Sequence, residues 1–164
     1  MSRGTVYFLG LGGNLGDRGA NLARARRLLG SAGVELLQCS SVFRTEPVGL
    51  KDQPWFFNQV VAVRAERTPF EMLELIRSIE KAMGRATGPV NGPRIIDIDI
   101  LLAGETILVT PELTIPHPRL AKRNFVLVPL CEIAPAAVHP VLRMTAAELL
   151  RGSPDRSSVV RAGR

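Results

Sequence analysis

The stretch Gly92–Leu102 (GPRIIDIDILL) constrains the fold more than any other part of the chain. From residue 95 onward its isoleucines and leucines are interrupted only by Asp97 and Asp99, a composition typical of a buried β-strand. Successive side chains of a strand point to opposite faces, so both aspartates lie on one face, about 6.5–7 Å apart along the chain. We expect the opposite face to point into a core and to carry Ile96, Ile98, Ile100 and Leu102.

Two carboxylates on one face of a strand indicate a bound cation. They repel each other, and an unpaired carboxylate is costly to bury. Mg²⁺ prefers oxygen ligands, and in two-metal phosphate sites the ions lie about 3.5–4 Å apart, which carboxylates at this spacing can bridge. Arg94 adds a cation at the same end of the strand, which suits a polyphosphate ligand. The aspartate pattern alone is equally compatible with an edge strand whose acidic face is solvated.

The net charge of +6 does not by itself indicate a nucleic-acid-binding protein. Residues 143–164 hold five arginines against two acidic residues, so half of the excess charge lies in that segment. The other arginines are spread along the chain, and an anionic small substrate explains them equally well. We therefore expect small-molecule substrates and no nucleic-acid partner.

The length of 164 residues suits one domain with a substantial core. We expect a single catalytic domain over residues 1–142, followed over 143–164 by a short helix and a flexible basic tail. No charge-poor run approaches the roughly 20 residues of a membrane span, and the first residues enter a strand pattern without a secretory segment. Cys39 and Cys131 are solitary, as expected for buried thiols in a reducing cytoplasm. These features predict a cytoplasmic protein without a membrane partner.

The order of the predicted elements favours an α+β fold. Thr68-Pro69-Phe70-Glu71 marks the start of a helix, and Asp17 is placed to cap an earlier one. The predicted elements are a strand at 6–11, a helix after Asp17, an extended run at 34–43, a strand at 57–65, a helix from 69 to 84 and the aspartate strand. This βαββαβ order is that of a ferredoxin-like domain, in which helices pack on an antiparallel sheet.

Three other segments are candidates for a site, and two of them also have a structural alternative. Residues 10–18 form a glycine-rich turn that could hold a phosphate. The turn matches neither the P-loop nor the G-x-G-x-x-G pattern, which favours a structural role. The loop at 85–91, between a helix and the aspartate strand, is a candidate lid. His117 stands between two prolines that fix its direction, although a lone histidine is more often a plain surface residue.

Five motifs occur in a fixed order between residues 5 and 142. They are GGNLGDR at 12–18, RTEP at 44–47, DQP at 52–54 with Asn58, GPR through DIDIL at 92–101, and PHPRL at 116–120 continuing through Pro135. Together they resemble the 6-hydroxymethyl-7,8-dihydropterin pyrophosphokinases of folate biosynthesis. No single motif is decisive, but five in order are highly specific.

The resemblance implies an ATP-dependent diphosphoryl transfer. The hydroxymethyl oxygen of the pterin attacks the β-phosphorus of ATP, which gives the pterin diphosphate and AMP. The resemblance also implies that Asp97 and Asp99 hold two Mg²⁺ ions around the triphosphate, in agreement with the strand pattern. Such ions neutralise charge in the transition state and align the nucleophile with the leaving group. Asp97 could also polarise the attacking hydroxyl through its metal.

The same resemblance assigns residues to an ATP site. Charge-assisted donors suit phosphate oxygens, and two further positions lie near the nucleotide base. The phosphate contacts are Arg94, His117 and Arg123, and the positions near the base are Ile100 and Thr114. Arg85 matches a lid arginine that assists chemistry, so the implied catalytic set is Asp97, Asp99, Arg85 and Arg94.

A second implied pocket holds the pterin. Its residues are Thr45, Val48, Phe56, Asn58 and Phe125. Two aromatic rings would sandwich the flat bicycle, and Asn58 would read its hydrogen-bonding edge. From its position alone, at the start of an apolar strand, Asn58 favours a cross-strand or turn hydrogen bond.

Several positions depart from the family pattern. The lid at 85–91 is a residue shorter than in better-known members and lacks their second arginine and their tryptophan, which predicts weaker closure over ATP. Phe56 stands where a tyrosine is common, so one hydroxyl contact is absent. Arg77 replaces a frequent neutral amide, and Glu112 stands where an arginine can occur.

Two alternatives belong to other functional classes. An RNA-binding ferredoxin-like module would need exposed aromatic residues on its central strands, and no such run is present. A pseudoenzyme that binds pterin or nucleotide without turnover is compatible with the altered lid, but the retained aspartates, arginines and histidine disfavour it. We expect an active monomer whose partners are ATP and the pterin.

Overall fold

The computed structural model describes residues 3–163 and forms a layered α+β domain. The first five strands, all in the main sheet, are β1 (Thr5–Gly13), β2 (Glu35–Cys39), β3 (Phe43–Thr45), β4 (Phe56–Ala65) and β5 (Asp97–Ala103). Two short hairpins follow, β6 (Leu108–Val109) with β7 (Thr114–Ile115), and β8 (Val138–His139) with β9 (Met144–Thr145), and the last strand is β10 (Val159–Arg161). The helices are α1 (Arg18–Ser31), α2 (Pro69–Ala82), α3 (Asn124–Ile133) and α4 (Ala146–Arg151), with a 3-10 turn at Leu120–Lys122.

The main sheet has the predicted ferredoxin-like arrangement. Its order is β10-β3-β4-β1-β5, with β2 also paired to β4, and every pairing is antiparallel. The predicted extended run at 34–43 is divided into β2 and β3, and both parts pair with β4. The strand is interrupted at Ser40, whose hydroxyl accepts the Val60 N–H at 3.0 Å in place of a backbone carbonyl.

Local signals place both long helices where the sequence predicts them. The Asp17 side chain accepts the Ala20 N–H and caps α1. Thr68 and Glu71 form a reciprocal capping box at the start of α2, whose first position is Pro69. Such caps satisfy N–H groups that the helix itself leaves unpaired.

Two apolar cores lie on opposite faces of the sheet. The first contains Leu22 of α1, Ile76 of α2 and sheet residues such as Leu9, and the second contains Leu127 of α3, Leu149 of α4 and sheet residues such as Val60. Because β5 contributes residues to both cores, apolar packing on both of its faces holds it in place.

The predicted alternation along β5 holds for three of its four apolar positions. Ile96, Ile98 and Ile100 lie in the first core as expected. Leu102 instead joins Leu101 in the second core. The β1–β5 register shifts next to Leu101, so the extra residue of this bulge reverses the facing of the strand beyond it.

The C-terminal segment differs from the predicted flexible tail. The expected short helix is present as α4, but residues 159–161 then form β10, which pairs with β3. The division into a domain at 1–142 and a separate segment at 143–164 remains a prediction. Over residues 3–163, no helix combines the length and apolar character needed to span a membrane.

Candidate active site

Asp97 and Asp99 stand at the start of β5, where the neighbouring strand leaves room beside them. Asp97 pairs with Gly12 and Asp99 pairs with Gly10 in β1, so no side chain opposite either position covers the carboxylates. The aspartates therefore face open space from a strand whose other side is fixed in the core.

Arginines from two segments meet at Asp97. Its Oδ1 lies 3.3 Å from Arg85 Nη2, and its Oδ2 lies 3.2 Å from Arg94 Nη1. Asp99 forms none of the ion pairs seen among residues 3–163. Burial, and then the neighbouring charge of Asp97, raises the pKa of Asp99 to about 7. The site thus combines one carboxylate that is paired with two arginines and one that forms no ion pair among the described residues.

Glu80 is a buried member of the same charge cluster that sequence reasoning did not assign to the site. It is only 7% exposed, although it lies on α2 among apolar residues. Its carboxylate accepts the Ile98 N–H at 2.9 Å and pairs with Arg85 at 3.0 Å. Burial raises its pKa. In the sequence, the feature that could have pointed to Glu80 was a single acidic residue on the inward, apolar stripe of an amphipathic helix.

One cleft, here called the apolar cleft, opens between β1, β3, β4 and α3. All five residues assigned to the pterin pocket line it: Thr45, Val48, Phe56, Asn58 and Phe125. Asn58 Nδ2 donates to Thr45 Oγ1 at 2.6 Å, which is the cross-strand bond that its position favours. The two aromatic rings required for a sandwich are therefore in the same cleft.

Gly12 gives Asn58 its place in the apolar cleft. A Cβ atom at position 12 would lie 2.2 Å from Asn58 Oδ1, closer than any real contact allows. The first glycine of the GGNLGDR motif therefore makes room for an amide, and this agrees with a structural role for the turn.

A second cleft, here called the cationic cleft, adjoins the first. Its lining includes Arg85, Arg94, His117, Arg119 and Arg123 as well as residues 88–91 of the predicted lid. Burial, followed by the nearby Arg123 cation, lowers the pKa of His117 to about 4, and its Nδ1 accepts the Arg119 N–H at 3.1 Å. Ile100 lies in the core and Thr114 in β7, and neither side chain lines the two clefts.

The two clefts share a wall. Asn91, Arg94, Asp97, Asp99 and Arg123 line both of them. The Arg123 guanidinium also lies 5.4 Å from the centre of the Phe125 ring. Two molecules bound in the two clefts would therefore meet at the paired carboxylates.

Asn14 joins three loops behind the clefts, and sequence reasoning gave it no role beyond its motif. Its Oδ1 accepts the Arg94 N–H at 3.0 Å, while its Nδ2 donates to Gln53 Oε1 and to the Pro54 carbonyl. Gln53 in turn donates to the Asn91 carbonyl at 2.7 Å. The glycine-rich turn, the 46–54 loop and the lid are thus linked through one buried amide.

The two carboxylates fit a magnesium ion that takes some of its other ligands from a polyphosphate. Over residues 3–163, no group of three or more His, Cys, Asp or Glu residues could hold a metal. Mg²⁺ commonly takes one or two protein carboxylates and completes its shell with waters and phosphate oxygens. Asp97 and Asp99 provide that donor set beside a cationic cleft.

Comparison with known proteins gives consistent results. Residues 8–135 match the family described as 7,8-dihydro-6-hydroxymethylpterin-pyrophosphokinase. The chain is 43% identical over 129 residues to a 2-amino-4-hydroxy-6-hydroxymethyldihydropteridine pyrophosphokinase of Bacillus subtilis, covering 78% of this chain and 77% of the relative. It is 45% identical over 135 residues to a protein of the same name from Methylorubrum extorquens, covering 82% and 85%.

A solved structure shares the fold. The crystal structure of wild-type Plasmodium falciparum HPPK-DHPS superposes with a TM-score of 0.72 at 16% sequence identity. The match covers 92% of this chain and 45% of the other one. At this identity the likeness supports the architecture alone.

Proposed function

The chain belongs to the 7,8-dihydro-6-hydroxymethylpterin-pyrophosphokinase family, and from that premise we propose that it transfers diphosphate from ATP to 6-hydroxymethyl-7,8-dihydropterin. The products are the pterin diphosphate and AMP, and the reaction is a step of folate biosynthesis. The observation that carries the proposal is the wall shared by the apolar and cationic clefts. It contains Asp97 and Asp99, so both substrates would reach the same carboxylates.

The apolar cleft suits the pterin. Phe56 and Phe125 offer flat apolar faces, and offset stacking favours a flat heterocycle between two rings. Asn58 Oδ1 makes no protein hydrogen bond among the described residues, so it can accept from a ring N–H. Thr45 holds the amide through its hydroxyl and thereby fixes the direction of that acceptor.

The cationic cleft suits the triphosphate of ATP. Arg85, Arg94 and Arg123 supply positive charge and N–H donors toward phosphate oxygens. His117 is neutral at pH 7 and its Nδ1 accepts a hydrogen bond, so its proton is on Nε2, which can donate. Ile100 and Thr114 remain proposed neighbours of the base.

The side chains of the site act mainly by positioning the substrates and ions, and they take little part in making bonds. Two Mg²⁺ ions held by Asp97 and Asp99 would neutralise the triphosphate and make the hydroxymethyl group more acidic. Arg85 and Arg94 hold the Asp97 carboxylate from both sides before substrates bind. Glu80 fixes Arg85 and also the backbone between the two aspartates. Such preorganisation lowers the cost of aligning an in-line displacement.

We further propose that the protein acts as a monomer in the cytoplasm. Both cysteines are free, which is consistent with a reducing compartment, but Cys39 is exposed, so the predicted burial of its thiol is wrong. Size-exclusion chromatography with light scattering tests the monomer, and a mass of about twice 17.8 kDa would contradict it.

The decisive experiment measures AMP formation from ATP and Mg²⁺, with and without 6-hydroxymethyl-7,8-dihydropterin. We expect AMP that depends on the pterin and that is lost in Asp97→Ala. Formation of ADP would mean a different phosphotransferase on this scaffold. Tight pterin binding without any nucleotide product would mean a pseudoenzyme, an outcome that the short lid at 85–91 makes worth testing.

A further inference from the structure

We propose that residues 153–162, here called the C-terminal brace, set the spacing between two walls of the apolar cleft, with Asp155 as the main positioning residue. The inference rests on the proposed function because it concerns binding of the pterin in that cleft. The brace lies outside residues 8–135, which match the family. The sequence pattern predicted only a flexible basic tail there.

One end of the brace is attached to the wall formed by β3. Val159 pairs with Thr45 in the β10–β3 ladder. The Ser158 N–H donates to Glu46 Oε1 at 2.9 Å, and the Glu46 N–H donates to the Ser158 carbonyl at 3.1 Å. Thr45 and Glu46 both line the apolar cleft, so these bonds fix one of its walls.

Asp155 attaches the other end of the brace to α3. Its Oδ2 accepts the Asn124 N–H at 2.8 Å, and its carbonyl accepts Asn124 Nδ2 at 3.2 Å. The helix's own N-cap residue, Arg123, makes no side-chain capping bond, so Asp155 supplies the missing acceptor from a distant part of the chain. Phe125 and Val126 directly follow Asn124 and line the apolar cleft but not the cationic cleft, which makes this the second wall.

The connection between the two walls is short and stiff. Asp155 Oδ1 accepts the Ser157 N–H at 2.8 Å, which closes a tight turn between the two attachment points. Burial raises the pKa of Asp155, but hydrogen bonds from the Asn124 and Ser157 amides outweigh it and lower the pKa overall. The carboxylate is therefore charged at neutral pH and holds both amides strongly.

The brace contacts the apolar cleft much more than the cationic cleft. Its hydrogen bonds to the walls of the apolar cleft reach β3, Glu46 and Asn124. None is made to residues 85–94 or 117–119, the described residues that form most of the cationic cleft, and Arg123, which precedes Asn124, lines both clefts. Loosening the brace should therefore weaken pterin binding more than ATP binding.

The test compares Asp155→Ala with Asp155→Asn and with the control Arg156→Ala. The Arg156 side chain is exposed and makes no hydrogen bond or ion pair among the described residues. We expect Asp155→Ala to raise the Kd for the pterin, measured by fluorescence titration, and its KM about fivefold or more, while the KM for ATP stays within about twofold. Asp155→Asn keeps an acceptor oxygen and should recover part of the loss, and the control should match wild type.

Several results would contradict the proposed role of the brace in pterin binding. Equal changes in both KM values, or a lower Tm with an unchanged pterin Kd, would mean that the segment only stabilises the fold. A chain that ends at Gly152 removes the whole brace, and circular dichroism shows whether this shortened chain folds. If it does not fold, the point variants at Asp155 alone test the proposal. The titration does not depend on turnover, so a wild type that binds pterin but forms no AMP refutes the proposed function and leaves the brace testable.

Discussion

The buried Glu80 carboxylate lies 3.0 Å from the Arg85 guanidinium, and that guanidinium reaches on to Asp97 at 3.3 Å. One arginine therefore joins a helix carboxylate to a strand carboxylate. Because Glu80 also accepts the Ile98 N–H, it controls both the lid arginine and the strand between the two aspartates. A residue that touches neither cleft directly is thus placed to affect the chemistry.

The first prediction concerns Glu80→Gln. The glutamine keeps the size of the side chain but removes the charge that holds Arg85, and charged hydrogen bonds contribute about 1.5–3 kcal/mol. We expect kcat to fall about tenfold or more while the KM for the pterin changes little. Steady-state kinetics measure this, and Glu74→Gln, an exposed residue on the same helix, is the matched control. Unchanged kcat would show that Glu80 only supports the fold.

The second prediction concerns Arg85 itself. Arg85→Ala removes a phosphate donor and leaves Glu80 buried without its cation, so we expect kcat to fall between about tenfold and a hundredfold. Arg85→Lys keeps the charge but cannot contact Glu80 and Asp97 together. Its kcat should therefore lie between those of wild type and Arg85→Ala. Arg27→Ala, an exposed arginine on α1, should behave as wild type. A turnover for Arg85→Ala equal to that of wild type would refute any role for the lid arginine.

Features encoded by neighbouring residues could be predicted from the sequence. Asp97 and Asp99 share an open face because side chains alternate along a strand, and Thr68 and Glu71 form a capping box because they are three residues apart. The same local patterns predicted the βαββαβ order, and from that order the ferredoxin-like sheet could be predicted as well.

Features that depend on distant contacts could not be predicted in the same way. The bulge at Leu101 arises only in the pairing with β1, and it changes which core receives Leu102. The Asp155 cap on α3 joins residues 31 positions apart. In the sequence Asn14 is one residue of a motif, and Glu80 is an acidic interruption of an apolar stripe. Their hydrogen-bond partners lie far away in the chain, so only the folded structure reveals them.

The third prediction concerns stability below neutral pH. Unfolded histidine binds a proton near pH 6.5, whereas His117 in the folded protein does so only near pH 4. At this residue the unfolded state therefore binds more protons between these values, so the contribution of His117 to the free energy of unfolding falls as pH drops from 6.5 to 4. At about 1.4 kcal/mol per pKa unit, the upper limit of this loss is about 3 kcal/mol.

Urea unfolding at pH 7, 5.5 and 4 measures this effect in wild type and in His117→Gln. We expect wild type to lose more free energy of unfolding than the variant over this range. Burial lowers the pKa of His139 and raises the pKa of Asp99, and these two shifts have opposite effects on stability at low pH, so the difference between the two proteins is the proper readout. Parallel curves would show that the His117 ring takes up its proton equally well in both states.

The last prediction concerns Gly12→Ala. The added Cβ would lie 2.2 Å from Asn58 Oδ1 and would push the amide away from Thr45. We expect the pterin Kd to rise about tenfold, since a hydrogen-bonding edge would be misplaced in an apolar cleft. Binding of ATP alone should change less than pterin binding, because Gly12 lines only the apolar cleft of the two, although the added methyl group would stand opposite Asp97 in the sheet.

The control for this substitution is Gly30→Ala on α1, where an added Cβ meets no atom within 4 Å. It should leave binding unchanged and slightly stabilise the helix, because alanine has the higher helix propensity. Fluorescence titration with the pterin distinguishes the two variants. If Gly12→Ala bound pterin as tightly as wild type, Asn58 would not be the group that reads the pterin edge, and the Asn58–Thr45 bond would be purely structural.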